Sequence, residues 1–311
     1  MPESSPAVRS TGNSRPRSRV ARSGISARDQ ILVLAIPLAL FAFFFLVPNL
    51  LNFGYAFTDW NAYRDEVNFT GLKNFEQLIA TDTLWSGLRI TLTYTVLVVF
   101  FQNLLGLGFA LALEKSTRAN GILRVLIFIP VLISPLAAGY VFRGLLAYDG
   151  VYNQILSFIT GQDVRIEWLG NLDWALVIVA MVHAWKWFGL TSLFYIAGLS
   201  TVPHELVEAA RLDGAGYWTT FFRIKWRMIA PVVTINVALA FIGTLNSFEV
   251  ILATTGGGPA RATEVLNIFI FEQFGTGNFG RSTAMSLVLF LTVLALAVPL
   301  IGVLRRREIS A

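Results

Sequence analysis

The 311-residue chain contains no cysteine, which excludes a disulfide framework, a thiolate metal site and a cysteine nucleophile. Its two histidines, His183 and His204, stand 21 positions apart and cannot build a His-rich metal centre. No glycine is followed by lysine, so the phosphate-cradling G-x-x-x-x-G-K-[ST] loop is missing. Neither H-E-x-x-H nor G-x-S-x-G occurs, and no nucleophile–base pair is legible. The chain reads as a non-enzyme with no metal or cofactor of its own. Charge is scarce too: Asp, Glu, Lys and Arg make up 14%, against about 25% in an average soluble domain.

What is present is apolar. The hydrophobic set reaches 55% and the mean hydropathy is +0.63, more apolar surface than a water-soluble core can hide. A helix needs about 20 mostly apolar residues to cross a hydrocarbon core, and six runs qualify. They are Ile31–Phe57, Ile90–Leu113, Ile122–Tyr148, Leu172–Leu199, Met228–Thr254 and Ser282–Leu304. Membrane barrels show short alternating segments instead, so the expected fold is all-α and polytopic. Proline and glycine inside several runs do not argue against this, because neighbouring helices satisfy the freed backbone groups.

The net charge of +5 and pI of about 9.7 could point to nucleic acid, but the positions of the basic residues point elsewhere. With the N-terminus inside, the inner segments are the N-terminal tail, 114–124, 201–227 and the C-terminal tail. They carry sixteen Lys and Arg against five in the outer loops (Arg64, Lys73, Arg165, Arg261, Arg281). That asymmetry is the positive-inside signature and places both termini in the cytoplasm. The basic excess is topology, and no nucleic-acid partner is expected. Residues 1–30, rich in Ser, Pro and Arg, read as a disordered tail. The apolar run behind them exceeds the 7–15 residues of a signal-peptide core, so it reads as an anchor. The expected organisation is therefore a tail (1–30), a six-helix membrane domain (31–304) holding a cytoplasmic loop at 201–227, and a short tail (305–311).

The loop from Thr201 to Pro231 carries structure of its own. Pro203 and Glu205 suit a helix N-terminus, and Leu206, Ala209 and Ala210 form a small apolar stripe. Gly214-Ala215-Gly216 stops that helix, and Tyr217, Trp218, Phe221 and Phe222 open a bulky second stretch. Two short helices at a sharp angle make a stiff knob able to carry force; the alternative is an interfacial helix lying on headgroups. Charges inside the bilayer also need a reason, since each costs about 2.5–3.5 kcal/mol. Arg143 and Glu249 each lie five residues from an outer span end, about 7–8 Å deep by helical rise, so they are candidates to pair or to line a wet cavity. Lys186, near mid-span, is expected to stay apart from them. Thr244, Asn246 and Ser247, with His183 and the rings of Trp185 and Trp187, would suit a sugar, whose hydroxyls take hydrogen bonds while its C–H faces stack. Single polar residues in spans serve by default as glue between helices.

The run Glu208-Ala209-Ala210-x-x-Asp213-Gly214-Ala215, followed by Phe221, Ile224 and Pro231, resembles the EAA loop of ABC importer permeases, in particular the maltose-type carbohydrate family. Thr70-Gly71-Leu72-Lys73-Asn74-Phe75, Thr255-Gly256-Gly257-Gly258-Pro259 with Thr263-Glu264, and Phe279-Gly280…Ser282-x-Ala284-Met285-Ser286 are similar to that family's outer-loop and last-span elements, in order. One departure is Trp226-Arg227, where the family often has Leu-Pro. The resemblance implies a type I importer permease for a sugar, oligosaccharide or related polyol, in the cell membrane. It implies two ATP-binding subunits using ATP and Mg, a second permease subunit (usually a different chain) and an extracytoplasmic substrate-binding protein. By the same resemblance Glu208, Ala209, Ala210, Asp213 and Gly214 dock an ATPase, and His183, Trp187, Thr244 and Ser247 fall in the substrate pathway. Asn246 and Glu249 join them as neighbours on the fifth span. The alternative is an ion-driven secondary transporter or channel, which would need coupled ionisable residues and repeated halves; no internal repeat is evident.

Overall fold

The computed structural model describes residues 27–306; the tail through residue 26 and residues 307–311 lie outside the described residues. Helix begins at Ala27, four residues inside the stretch expected to be an irregular tail. Among the described residues the β pairing amounts to one bridge, Thr58 with Phe69, so the all-α expectation stands.

The chain parts into two compact units between Leu50 and Leu51. The first holds α1 (Ala27–Phe41), a π-helical turn at Ala42–Leu46 and the start of α2 (Val47–Tyr55). The polar Asn49 donates its side-chain amide to the Phe45 carbonyl at 2.7 Å, which satisfies it within its own helix.

In the second unit, α3 (Lys73–Ala80) closes the corner after α2. The buried Asn74 donates to the carbonyls of Ala56 (2.9 Å) and Thr58 (2.8 Å) in the turn after α2. There follow α4 (Thr83–Ala112), α5 (Arg118–Leu132), α6 (Pro135–Leu145), α7 (Val151–Thr160) and α8 (Ala175–Ser200). A projecting segment holds α9 (His204–Leu212), α10 (Tyr217–Thr220), a π-helical turn at Phe221–Lys225 and α11 (Trp226–Met228). The chain ends with α12 (Ala230–Leu245), α13 (Glu249–Thr254), α14 (Leu266–Gly275) and α15 (Phe279–Arg305).

Four helical stretches are long and apolar enough to cross a membrane unbroken: Ile31–Tyr55, Thr83–Ala112, Ala175–Ser200 and Phe279–Arg305. The other two expected spans are not straight. Ile122–Tyr148 breaks between α5 and α6, whose axes meet at 97°. Ser134 is extended (ψ 139°) because the ring of Pro135 disfavours helix in the residue before it. Met228–Thr254 resolves into α12, a break at Asn246–Phe248, and α13. The segment leading into α12 meets it at 72°, with Pro231 in its first turn. Trp226-Arg227 does not cut the preceding helix short: α11 runs through it to Met228.

Helix α8 is the centre of the second unit: 56% of its apolar stretch is buried, against 28% for α4 and 11% for α15. Tyr94 and Val98 of α4 pack with Val179 and Val182 of α8 and Val250 and Ile251 of α13. Toward the other end, Ala110, Tyr195, Ile196, Leu199 and Ile229 form a second cluster. Close approach is enforced at Gly189, where a Cβ would stand 2.0 Å from the Ile127 carbonyl oxygen of α5. Thr91 adds a tertiary cap: its hydroxyl oxygen accepts the first amide of α14, Leu266 N, at 2.9 Å.

Candidate functional site

The first candidate is the projecting segment. Helix α9 ends by a closed pattern: Ala215 N donates to Ala210 O (2.9 Å) and Gly214 N to Arg211 O (3.0 Å). This is the Schellman arrangement, and it needs a left-handed residue at Gly214, whose φ is +81°. Nothing lies within 4 Å of a Cβ built there, so the requirement for glycine is conformational rather than steric. Glu208, Ala209, Asp213 and Gly214 are exposed and Ala210 is half-buried, so all five residues singled out from sequence gather at one end of α9. Leu212 is 89% exposed beside them.

The base of this segment is anchored. Phe221 is buried, and the rings of Trp218, Phe222 and Trp226 pack around it at 5.0–6.1 Å. Lys225 pairs with Glu114 in the loop after α4. Arg124 donates to Leu113 O at 2.7 Å, satisfying a carbonyl at the C-terminus of α4. Val207 of α9 packs against the cluster of Ala110, Tyr195 and Ile229, so α9 is in contact with the ends of α4, α8 and α12.

The second candidate is a cavity of about 340 Å³ between α8 and α12. His183, Trp187, Thr244, Asn246, Ser247 and Glu249 all line it. The break after α12 matters here, since it turns Ser247 and Glu249 toward the same space as Thr244. Gln102, Thr191 and Asn236 line it as well and were missed. The signal was available, because each is a polar side chain in an apolar run, the pattern that marks interhelical hydrogen bonds. Gln102 donates to the Thr191 hydroxyl at 2.8 Å, and Asn236 to the Thr191 carbonyl at 3.3 Å, so α4, α8 and α12 are pinned at one level. Behind the cavity the Tyr94 hydroxyl lies 2.9 Å from His183 Nδ1, with Ser247 Oγ at 3.5 Å.

The charged residues are arranged differently from the sequence expectation. Arg143 and Glu249 do not pair; Arg143 lines a separate recess with Tyr148, Glu167 and Trp168. The depth argument assumed a straight third span, and the 97° turn at Pro135 removes that assumption. Among the described residues Lys186 forms no ion pair with Glu249, in keeping with its mid-span position. Lys186 is buried, its Nζ 4.1 Å from the centroid of the Trp187 ring and donating to Val131 O at 3.3 Å. That carbonyl would pair with the amide of residue 135 in an unbroken helix, and Pro135 has none to give. Lysine fills the vacancy that proline creates. Trp185 does not line the cavity and packs on Phe142, ring centroids 4.9 Å apart.

Chemically the cavity offers amides, hydroxyls, one carboxylate and an indole face, in the size range of small-molecule sites. Among the described residues no group of His, Asp and Glu is placed to hold a metal ion.

Residues 102–307 match the family described as binding-protein-dependent transport system inner membrane component. The chain is 30% identical over 244 residues to the trehalose/maltose transport system permease protein MalF of Thermococcus litoralis, covering 78% of this chain and 82% of that one. It is 26% identical to the probable starch degradation products permease AmyD of Thermoanaerobacterium thermosulfurigenes, over 85% and 90% of the two chains. In fold it is similar to a chain of a bacterial ABC transporter that imports the acidic polysaccharide alginate. The TM-score is 0.76 at 22% identity, covering 90% of this chain and 96% of that one.

Proposed function

The chain belongs to the binding-protein-dependent transport system inner membrane components and is a permease subunit of an ABC importer, and from that premise we propose that it carries a neutral sugar or oligosaccharide through the cavity beside α8. The observation that carries the reading is the convergence of His183, Trp187, Thr244, Asn246, Ser247 and Glu249 on one space. Donors and acceptors there match sugar hydroxyls, and the Trp187 face matches sugar C–H groups. The sugar-named relatives support the substrate class.

In this proposal α9 is the coupling helix. Glu208 and Asp213 offer charge-assisted bonds to a basic cleft, and Ala209 and Ala210 let a partner backbone approach. Two ATPase subunits close on ATP with Mg and pull the α9 knobs of two permeases together. The companion permease is a different chain, and an extracytoplasmic binding protein delivers the substrate. Both termini face the cytoplasm, on the strength of the basic asymmetry. The packing of Val207 of α9 against the ends of α4, α8 and α12 gives the pull a path to the cavity walls. ATP hydrolysis belongs to the partner, and this chain contributes a pathway and a lever. Family membership leaves the ion-driven alternative without support.

The test is affinity purification of the full chain from its membrane in mild detergent. A nucleotide-binding subunit should co-purify, and the complex in liposomes should take up sugar only with ATP and binding protein. Uptake by the lone chain, driven by an ion gradient, would overturn the proposal.

A further inference from the structure

The break at Asn246–Phe248 has two sides. Ser247 and Glu249 face the cavity beside α8, whereas Phe248, between them, lines a different cavity of about 450 Å³. This second space lies among the ends of α2, α14 and α15, and α14 is held against the break by Asn267, which donates to Leu245 O at 3.0 Å. Five of the residues around it are aromatic: Tyr55, Trp60, Phe248, Phe271 and Phe274. Tyr55 and Trp60 pack at 4.5 Å, and Phe248 and Phe271 at 5.7 Å, so the rings are held in place by one another.

The polar lining offers both donors and acceptors. Ser282 donates its hydroxyl to Ile270 O (2.9 Å) and Ser286 to Ser282 O (3.0 Å), and Asn267 spends one of its two amide hydrogens on Leu245 O. These groups keep oxygen lone pairs and the second Asn267 hydrogen for a ligand, and the Tyr55 hydroxyl and Trp60 indole N–H make none of the hydrogen bonds found among the described residues. The half-buried Asn52 amide makes none of the hydrogen bonds found among the described residues, and remains available in both senses. None of the residues lining this cavity is charged. A ligand that fits has hydroxyls that can both donate and accept, C–H faces for rings and no net charge, since an ion here would lose its hydration without a counter-charge. A lipid chain would leave the oxygens unmet, and a sugar phosphate or uronate would leave its charge unmet.

We propose that this cavity is a second binding site for a neutral saccharide, separated from the first by the Phe248 side chain. The proposal rests on the reading of the chain as a sugar permease. It gives the transporter a sugar position on the far side of the broken helix from His183.

The experiment uses the complete complex in lipid nanodiscs and diazirine-bearing maltotriose, trehalose and lactose, with cross-linked peptides mapped by mass spectrometry. Label is expected on 267–274 and 282–286, reduced at least about tenfold by excess of the same unlabelled sugar. Ser286→Trp, which fills the space, should abolish this label, and Asn52→Leu should weaken it if the bulkier variant fails to assemble. Ser247→Leu should leave it in place while removing label from α8. A diazirine-bearing uronate trisaccharide should not label 267–274. Label confined to α8 and α12 overturns the second site and leaves the permease reading intact. Label on α14 and α15 that unlabelled sugar does not displace also overturns it, as does a Ser286→Cys thiol that cross-links quantitatively to the companion permease. Absence of label anywhere, with no ATPase subunit co-purifying, overturns the second site and the permease reading together.

Discussion

The α9 knob and the cavity beside α8 are built by opposite means. The knob is made of neighbours in sequence: its turn closes through bonds between residues 210 and 215, and its aromatic base comes from residues 218–226. The cavity is made of residues far apart in the chain, such as Gln102 with Thr191 and Tyr94 with His183, each pair 89 positions apart. A local device can move as a rigid body without losing its shape. A site assembled from several helices changes shape whenever those helices shift. In the proposed transporter, force is gathered where the geometry is local and released where it is shared.

The largest expected break in that comparison is Gly189→Val. Its Cβ would collide with the α5 backbone at Ile127, and overpacking against a main chain cannot be relieved by a rotamer change. The assembled complex should be lost on size-exclusion chromatography, although α9 itself is untouched. Recovery of normal complex would mean that α5 and α8 do not need this contact. Next is Ser247→Leu, which places an apolar side chain in the cavity and removes the hydroxyl near His183. Uptake should fall to background in proteoliposomes while complex yield and ATPase docking stay at wild-type levels. Unchanged uptake would reduce Ser247 to a packing residue. The smallest structural change is Gly214→Val, which costs about 1–2 kcal/mol for a left-handed β-branched residue and meets no steric neighbour. Insertion should be normal, with ATP hydrolysis no longer stimulated in step with uptake. Normal coupling would detach the turn at Gly214 from the transmission of force.

Much of this molecule was legible from residue order. Apolar length located four unbroken spans, and the all-α class followed from it. Pro203, Gly214 and the aromatic run marked the knob because capping and turn chemistry act over a few residues. The polar set at His183, Trp187, Thr244, Asn246, Ser247 and Glu249 stood out against an apolar background and does converge. Depth did not transfer. Counting 1.5 Å per residue presumes a straight helix, and α5–α6 turns by 97°. That is why Arg143 went to another recess while Glu249 lines the cavity beside α8.

Residue order alone determined how many apolar segments there are, their basic flanks and where the chain must turn, because each depends on side chains within a few positions of one another. Only tertiary structure decided that Lys186 would satisfy the carbonyl left open by Pro135, that Gln102 and Asn236 would brace Thr191, and that Phe248 would face away from its two neighbours. Each of these is set by the angle at which one broken helix meets another, and no periodicity along the chain encodes that angle.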